Sequence, residues 1–207
     1  MKRVPKQDRS GQTKAKILSV AREHFSAYGY DASNIRDIAK SAGTTHAMIT
    51  YHFGNKDALW KDTITDMFKR LREVISFDDN LAKRLQEPEQ LKYFIKKYIM
   101  YCANHPEHAR IMLAESIRGG ERLNWMVEKF IRPAHKQVYA PALRKQIKDG
   151  VLPEIWEISL IFIITTICQI PYVISSEINL IYGVDFMSDE SIEKHTNSVV
   201  SLLFPPH

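Results

Sequence analysis

A short stretch of the chain, residues 46–51, carries side chains that can read nucleic acid. If this stretch is helical, its outward arc centres on Ala47 and Tyr51, flanked by His46, Met48 and Thr50. Hydroxyl and imidazole groups can hydrogen-bond to base edges in a major groove, and Ala or Met can contact a thymine methyl group. Exposed helix faces usually carry charged residues, but this arc has no acid. The pattern therefore predicts a DNA-reading helix, and the alternative is a helix packed on another protein domain.

Two short helices joined by a tight turn are needed to present this arc. The first helix has an apolar stripe at helical spacing, formed by Ile35, Ile38, Ala39 and Ala42. Gly43 would end that helix, because glycine enters a left-handed turn without a side-chain penalty. Thr44 or Thr45 can then cap the second helix, and Ile49 and Phe53, four residues apart, would face inward. The spacing is that of a helix-turn-helix motif.

Polar residues at the starts of neighbouring helices could hold phosphate groups. Ser33 and Asn34 precede the first helix of the motif, where a hydroxyl or amide lies beside free backbone N–H groups. Asn55 can cap the next helix, which begins with Lys56. Both helix starts therefore suit a phosphate of a DNA backbone.

Residues 17–59 resemble the DNA-binding domain of the tetracycline-repressor (TetR) family of bacterial transcription regulators. The resemblance is carried by the Gly-Tyr end of the first helix and by residues 36–39, 42–43, 51–53 and 56–59. Two positions depart from the family pattern. Thr44 stands where a branched aliphatic residue is usual, and Thr50 stands where a Tyr that touches phosphate is common. The departure at Thr50 concerns one backbone contact and leaves the expected fold unchanged.

By this resemblance, the protein would be a repressor that binds a palindromic operator as a homodimer and is released by a small apolar effector. Base or groove contacts would come from Arg36, His46, Ala47, Met48 and Thr50. Phosphate contacts would come from Ser33, Thr45, Tyr51, His52 and Lys56. No catalytic activity and no cofactor is implied. The alternative is a DNA-organising or protein-interaction module that uses the same head without a small-molecule switch.

The positive charge of the chain is concentrated at the same end. Residues 1–56 hold ten Lys and Arg against four Asp and Glu, a balance of +6, whereas residues 57–207 hold nineteen against twenty, a balance of −1. A polyanionic partner requires such a field on the helix-turn-helix end. Cys102 and Cys168 form no CxxC motif, so free buried thiols in a reduced, cytoplasmic setting are expected.

Apolar spacing without strand alternation predicts an all-α protein of about nine helices in three parts. Residues 1–12 would be a disordered basic arm, interrupted by Pro5 and Gly11, that either follows DNA or is only a solvated terminus. Residues 13–56 would form the helix-turn-helix DNA-binding domain, whose first helix begins at Thr13 and ends at Tyr28. Residues 57–207 would form a helical regulatory and dimerisation domain.

Residues 155–176 are the most apolar stretch, and 158–176 contain no charge. Acidic residues flank the stretch and no Lys or Arg anchors its ends, so a membrane span is disfavoured. A helix apolar on all sides in a chain of this size is expected to pack on its own core and on a second copy. With the helix at 189–203 it would form half of a four-helix dimer interface. Such a pair would space two reading helices about 34–36 Å apart on an inverted repeat.

A cavity for the effector is expected in the second half of the chain. Candidate lining residues combine apolar surface with polar tips: Tyr93, Tyr98, Tyr101, Trp125, Tyr139, Phe162, Gln169 and Tyr172. Aromatic residues at helical spacing also make up ordinary cores, so that alternative stays open. Cys102, His105 and His108 have the composition of a metal site, but Pro106 interrupts their register, and no metal is predicted.

Overall fold

The regular structure in the described part of the chain is helical. This computed structural model describes residues 6–75, 84–86 and 88–205, with side chains from residue 10 onward. The helices are α1 Lys6–Ala32, α2 Ile35–Ser41, α3 His46–Phe53, α4 Lys56–Val74, α5 Glu89–Asn104, α6 Pro106–Arg118, α7 at 121–148, α8 Glu157–Val173, α9 Ser175–Tyr182 and α10 Asp189–Leu203. The all-α prediction is confirmed, with ten helices in these ranges instead of about nine.

The first helix begins seven residues before its predicted start. It runs from Lys6, so residues 6–12 are helical where a disordered arm was expected, and residues 1–5 of that arm lie outside the described residues. Gly11 does not break the helix, because one glycine in an exposed helix costs only about 1 kcal/mol. Gly29, with φ 73° and ψ 175°, does interrupt it, one residue after the predicted end at Tyr28.

Helices α1 to α4 pack around one apolar core that holds the motif together. Its buried residues include Ile17, Ala21, Phe25, Ile38, Ala39, Ala42, Leu59, Trp60 and Ile64. Ile49 and Phe53 are buried in it, so their predicted inward orientation is confirmed. Ile35, predicted on the apolar stripe of α2, is only partly buried.

The core of the head continues into the second half of the chain without a break. Ile111 of α6 and Met126 of α7 belong to the same buried cluster as Trp60. The rings of Trp60 and Trp125 lie 5.6 Å apart, and those of Phe68 and Phe130 stack at 4.5 Å. The apolar cluster therefore contains residues from both sides of the boundary expected between residues 56 and 57.

A nearly buried arginine ties α1 to α4 and α6. The Nε atom of Arg22 donates to Glu107 Oε1 at 2.8 Å, and its Nη1 atom lies 3.3 Å from Asp66 Oδ2. Arg70 holds the same Asp66 oxygen at 2.9 Å, and His105 Nδ1 lies 3.3 Å from Glu107. The guanidinium thus links α1 to both α4 and α6 through two carboxylates.

Helix α7 contains two prolines, and a widened turn precedes each of them. It contains two π-helical turns, Val127–Ile131 and His135–Tyr139, which precede Pro133 and Pro141. A proline lacks the backbone N–H and its ring clashes with the carbonyl four residues earlier, and a wider turn relieves that crowding. The two widened turns thus lie just before the two prolines.

A second core joins α5, α8 and α10. Its buried residues include Ile95, Ile99, Cys102, Cys168, Tyr172, Ile192, Val199 and Leu203. Helix α8 buries Leu160 and Ile161 while leaving Phe162 60% exposed, so it has one face in the protomer core and one outside it.

Helix α9, which the sequence did not predict, follows α8 at once and ends at Gly183. No single helix in the described ranges is long and apolar enough to span a membrane. Only α8 and α9 taken together reach that length and composition, and they are bent by 68°.

Replacing Arg22 with alanine should lower the free energy of unfolding by about 3 kcal/mol, because two largely buried carboxylates lose a charged partner. Urea denaturation would measure the change. Lys14→Ala is the matched control, since Lys14 also joins α1 to an aspartate of α4, Asp62, but across an exposed 3.0 Å pair. That control should cost less than about 1 kcal/mol, and equal losses for the two variants would contradict the assigned role of Arg22.

Candidate nucleic-acid interface

Helix α3 is capped at both ends, and at its C-terminal end the Gly54 amide donates to the Thr50 carbonyl at 2.8 Å. Thr45 is its N-cap, with φ −109° and ψ 156°, and its hydroxyl accepts a hydrogen bond from the Met48 amide at 3.2 Å. The sequence left Thr44 and Thr45 as alternatives, and the structure selects Thr45. Gly43, at φ 63°, makes the turn between α2 and α3, where any other L residue would be strained.

The side chains predicted to meet base edges lie on the open side of α3. Tyr51 is 79% exposed, and His46, Ala47, Met48 and Thr50 are exposed as well. The Thr50 hydroxyl donates to the His46 carbonyl at 3.1 Å, so its oxygen keeps lone pairs for an outside donor. Arg36 is exposed at the start of α2. The outward face therefore offers hydroxyl, phenol, imidazole, guanidinium and methyl groups together.

Three helix starts converge beside this face. A cleft of about 450 Å³ is lined by residues 31–36 together with His46 and Lys56, which are the first residues of α3 and α4. Asn34 caps α2 through the Arg36 amide at 2.9 Å, and Asn55 caps α4 through the Ala58 amide at 2.8 Å. Helix N-termini carry unpaired N–H groups and a positive dipole end. The cleft is therefore chemically suited to phosphate.

Lys56 is held at the edge of this cleft by the end of α1. Its ammonium donates to the Asp31 carbonyl at 3.1 Å and lies 4.6 Å from the centre of the Tyr30 ring. Burial first, and then the nearby charge of Arg122, lower the pKa of Lys56. An approaching anion would counter both effects, so the site favours a negatively charged partner for this lysine.

Two of the predicted phosphate contacts are placed differently from expectation. Ser33 is buried, and its hydroxyl lies 2.6 Å from the Gly29 carbonyl and 3.2 Å from the His24 carbonyl, so it closes the end of α1 and does not face outward. The Nε2 atom of His52 is buried without a hydrogen-bond partner among the described residues. Ser33 directly precedes Asn34, the cap residue of α2, and the end of α1 covers the Ser33 side chain. This covering depends on tertiary packing, so the local sequence could not predict it.

A cluster behind the cleft was not predicted. Asp31 forms an ion pair with Arg118 at the end of α6, and Arg122 of α7 lies 4.0 Å from the same carboxylate. Arg122 also pairs with buried Glu115 at 3.0 Å and covers the Tyr30 ring at 4.1 Å. These partners are some 90 residues apart in sequence, so no local pattern identifies them. They connect α6 and α7 directly to Asp31, which lines the cleft.

The eight residues predicted to line an effector cavity do not form one group. Tyr98 accepts a hydrogen bond from Gln169 at 2.5 Å, and Tyr172 lies in the same core. The rings of Tyr139 and Phe162 lie 5.5 and 6.4 Å from the His135 ring, and Phe162 is exposed in the protomer.

The other predicted lining residues belong elsewhere. Trp125 packs in the core of the head, and Tyr93 is partly buried on α5. Tyr101 contacts the Met67 carbonyl at 3.3 Å and His108 Nδ1 at 2.8 Å. Burial first, and then the charges of His105 and Arg22, lower the pKa of His108 to about 3, so it stays neutral. The residues described here include no group of three or more His, Cys, Asp or Glu that could hold a metal ion.

Replacing Thr45 with alanine should cost about 1 kcal/mol of stability and speed hydrogen exchange at the Met48 amide, because α3 loses its capping acceptor. Urea denaturation and amide exchange measured by NMR would test this. Thr45→Ser retains the hydroxyl and should behave like the wild type. A Thr45→Ala protein with unchanged Met48 exchange would contradict the capping role.

Comparison with known proteins supports the same architecture. Residues 17–63 match the family model described as bacterial regulatory proteins, tetR family, and residues 88–203 match a tetracyclin repressor-like C-terminal domain. The HTH-type transcriptional repressor AcnR of Corynebacterium jeikeium (strain K411) is 32% identical over 63 residues, which are 30% of this chain and 33% of AcnR. The chain spans a third to a half of the length of the curated relatives it matches first.

Solved structures share the fold along nearly the whole chain. AibR, solved in complex with isovaleryl coenzyme A and operator DNA, has a TM-score of 0.71 at 17% identity, covering 94% of this chain and 100% of AibR. FadR from Bacillus subtilis, solved with stearoyl-CoA, has a TM-score of 0.67 at 19% identity, covering 93% and 99%. At such identities the likeness shows the fold alone. Because the C-terminal family model covers more than half of the chain and the N-terminal model covers the head, this protein belongs to the tetR family of bacterial regulatory proteins.

Proposed function

We propose that this protein is a transcriptional repressor that binds a palindromic operator as a homodimer and leaves it when a small effector binds. The observation that carries the proposal is the exposed, acid-free face of α3 beside a cleft where three helix starts meet. The relative AcnR is a repressor, and AibR was solved on operator DNA, which supports the same role here. The proposal includes no catalytic step and places the protein in the cytoplasm, where its DNA is.

The groups around α3 divide into base readers and phosphate anchors. His46, Ala47 and Thr50 would enter the major groove, where imidazole and hydroxyl groups reach base edges. Tyr51 and Lys56, together with the free amides of α2 and α4, would hold phosphates on either side. Arg36 stands at the start of α2, where its long side chain can reach the groove edge.

Two copies are needed because one eight-residue helix reads few base pairs. The exposed face of α8 carries Ile158, Phe162 and Ile163, and α10 adds Leu202, which is 69% exposed. An apolar face of this kind is stabilised by contact with a second copy. Two-fold pairing would set the reading helices about one DNA turn apart, roughly 34–36 Å.

Release from DNA would depend on the ion pairs that join α1 to α4 and α6. Arg22 binds carboxylates of α4 and α6, and Asp31 binds Arg118 at the other end of α6. A shift of α6 on effector binding would therefore move the head through two separate ion pairs and a shared core. An effector needs only about 1–3 kcal/mol of preference for the released arrangement to act as a switch.

Selection from a random duplex pool should return an inverted repeat, since a two-fold dimer reads two equal half-sites. Phe162→Glu places a charge in the proposed interface and should give monomers that no longer select paired half-sites. Ile117→Glu makes a similar change at an exposed position of α6 and should behave like the wild type. Gel filtration and sequencing of the selected pool would measure both, and a Phe162→Glu protein that still selects inverted repeats would contradict the proposed interface.

Affinity for that operator should fall roughly 10³–10⁵-fold between 50 and 200 mM salt, as expected for about 6–10 phosphate contacts per dimer. Lys56→Gln should reduce the slope of log affinity against log salt by about 1 per subunit. Lys61→Gln is the control on the same helix, because Lys61 pairs with Asp57 at 2.7 Å and lines a different cleft. Fluorescence anisotropy at several salt concentrations would give the slopes, and equal slopes for all three proteins would rule out Lys56 as a phosphate anchor.

A further inference from the structure

The cleft beside the reading helix contains an acidic side chain as well as basic ones. Of the eight residues that line it, Asp31 is the acid, and Arg36 and Lys56 are the long-chain cations. A carboxylate repels a phosphate, and at about 0.15 M salt the repulsion is little screened within roughly 8 Å. A cleft that holds a DNA phosphate therefore needs a cation to neutralise Asp31.

The lysine of the cleft is bound to the main chain of Asp31 and not to its carboxylate. The Lys56 ammonium donates to the Asp31 carbonyl at 3.1 Å and lies 4.6 Å from the centre of the Tyr30 ring. Within the described ranges, the carboxylate forms its ion pairs with Arg118 and Arg122. Both arginines lie outside the helix-turn-helix domain, on α6 and α7. The charge of the cleft thus depends on residues of the second half of the chain.

Of these two arginines, Arg122 is engaged mainly with another acid. Its Nε atom donates to Glu115 Oε2 at 3.0 Å, and the Glu115 side chain is only 4% exposed, so that carboxylate requires a partner. The Arg122 guanidinium also covers the Tyr30 ring at 4.1 Å, and its Nη2 atom comes no nearer than 4.0 Å to the Asp31 carboxylate. Arg118 contacts that carboxylate directly through Nη1 and is therefore its main counter-ion.

Backbone breaks at glycine place both members of this pair. Arg118 is the last residue of α6, because Gly119 and Gly120 follow it at φ 70° and 86°. Helix α1 is interrupted at Gly29, two residues before Asp31, and a β-carbon at Gly29 would lie 4.0 Å from Arg118 Nη2. The end of α6 thus lies against the end of α1. Whether the Asp31 charge is neutralised depends on where α6 lies.

We infer that Arg118 acts on operator binding through Asp31: by neutralising this carboxylate, it allows the cleft to hold a DNA phosphate. A displacement of α6 that separates the pair would leave a bare negative charge in each of the two clefts of a dimer. The inference rests on the proposed function. It adds a change in the charge of the cleft to the movement of the head as a means by which α6 controls release.

A double-mutant cycle on the selected operator tests this inference. Arg118→Gln should bind roughly tenfold more weakly at low salt, because the carboxylate then repels phosphate. Asp31→Asn should bind roughly tenfold more tightly, because Arg118 then faces the cleft without its partner. The variant with both changes should bind within about threefold of the wild type, although it has no ion pair. Fluorescence anisotropy would give the four affinities, and the differences should narrow at higher salt because these charges are exposed.

The cycle separates this inference from two other roles of Arg118. If the ion pair only held the end of α1 in place, all three variants would lose affinity, because each of them lacks the pair. If Arg118 bound phosphate itself, the double variant would stay as weak as Arg118→Gln. Either result would overturn the inference. Because both side chains are exposed, the three variants should unfold in urea close to the wild type.

Arg132→Gln is the matched control for the loss of one positive charge. Arg132 pairs with Glu128 at 2.8 Å on α7, with both side chains more than half exposed, and neither residue lines the cleft. This variant should bind the operator like the wild type. Equal losses for Arg118→Gln and Arg132→Gln would show that net charge alone is responsible and would overturn the inference.

The same measurements distinguish failure of this inference from failure of the proposed function. If the wild type binds the selected operator and Arg118→Gln binds it equally well, only the role of Arg118 is rejected. If the wild type retains no duplex from the random pool, the proposed function is rejected, and the inference falls with it.

Discussion

The reading helix is too short to exist alone, and this constraint shapes the rest of the molecule. Helix α3 has eight residues, whereas isolated helices need about 12–15 residues to be even marginally stable in water. It is held by the burial of Ile49 and Phe53 against α1 and α4 and by caps at both ends. Its outward residues are therefore not needed to hold the helix in place. The identity of these outward residues can therefore follow from what they contact outside the protein. This accounts for the small and polar groups that stand there in place of the usual surface charges.

Burial of so short an element requires the surrounding helices to be rigid relative to one another. The cluster around Trp60 supplies this by extending through Phe68 into α6 and α7, and the carboxylates around Arg22 add directional ties. Helices α1 to α4 are consequently packed firmly on the rest of the chain and are not joined to it by a flexible linker alone. A displacement of α6 would reach α1 at two points, at Arg22 through Glu107 and at Asp31 through Arg118. In the proposed release mechanism, the contacts that stabilise the fold would also transmit the effect of the ligand.

Local patterns in the sequence predicted the helix-turn-helix motif and most of the helices, although they missed α9 and the early start of α1. Apolar spacing located the inward face of α3, the last helix at 189–203 and the all-helical class, because these follow from periodicity within a few turns. The same approach failed where a residue's neighbours come from distant segments. Ser33 reads as a cap but is covered by the end of α1, and Phe162 reads as cavity lining but faces outward. The Asp31 cluster has no local signature at all.

The two widened turns of α7 let one helix serve two separate cores. Its first part contributes Met126 and Phe130 to the cluster around Trp60, and its last part contributes Leu143 to a cluster with Leu152 and Leu160. Each π turn accommodates one residue more than a regular turn, which rotates everything after it by roughly 100° about the helix axis. Removing one residue from either turn would leave a continuous helix whose two ends face the wrong partners. The number of residues in this segment is therefore constrained by the angle between its two packed faces, independently of which side chains it carries.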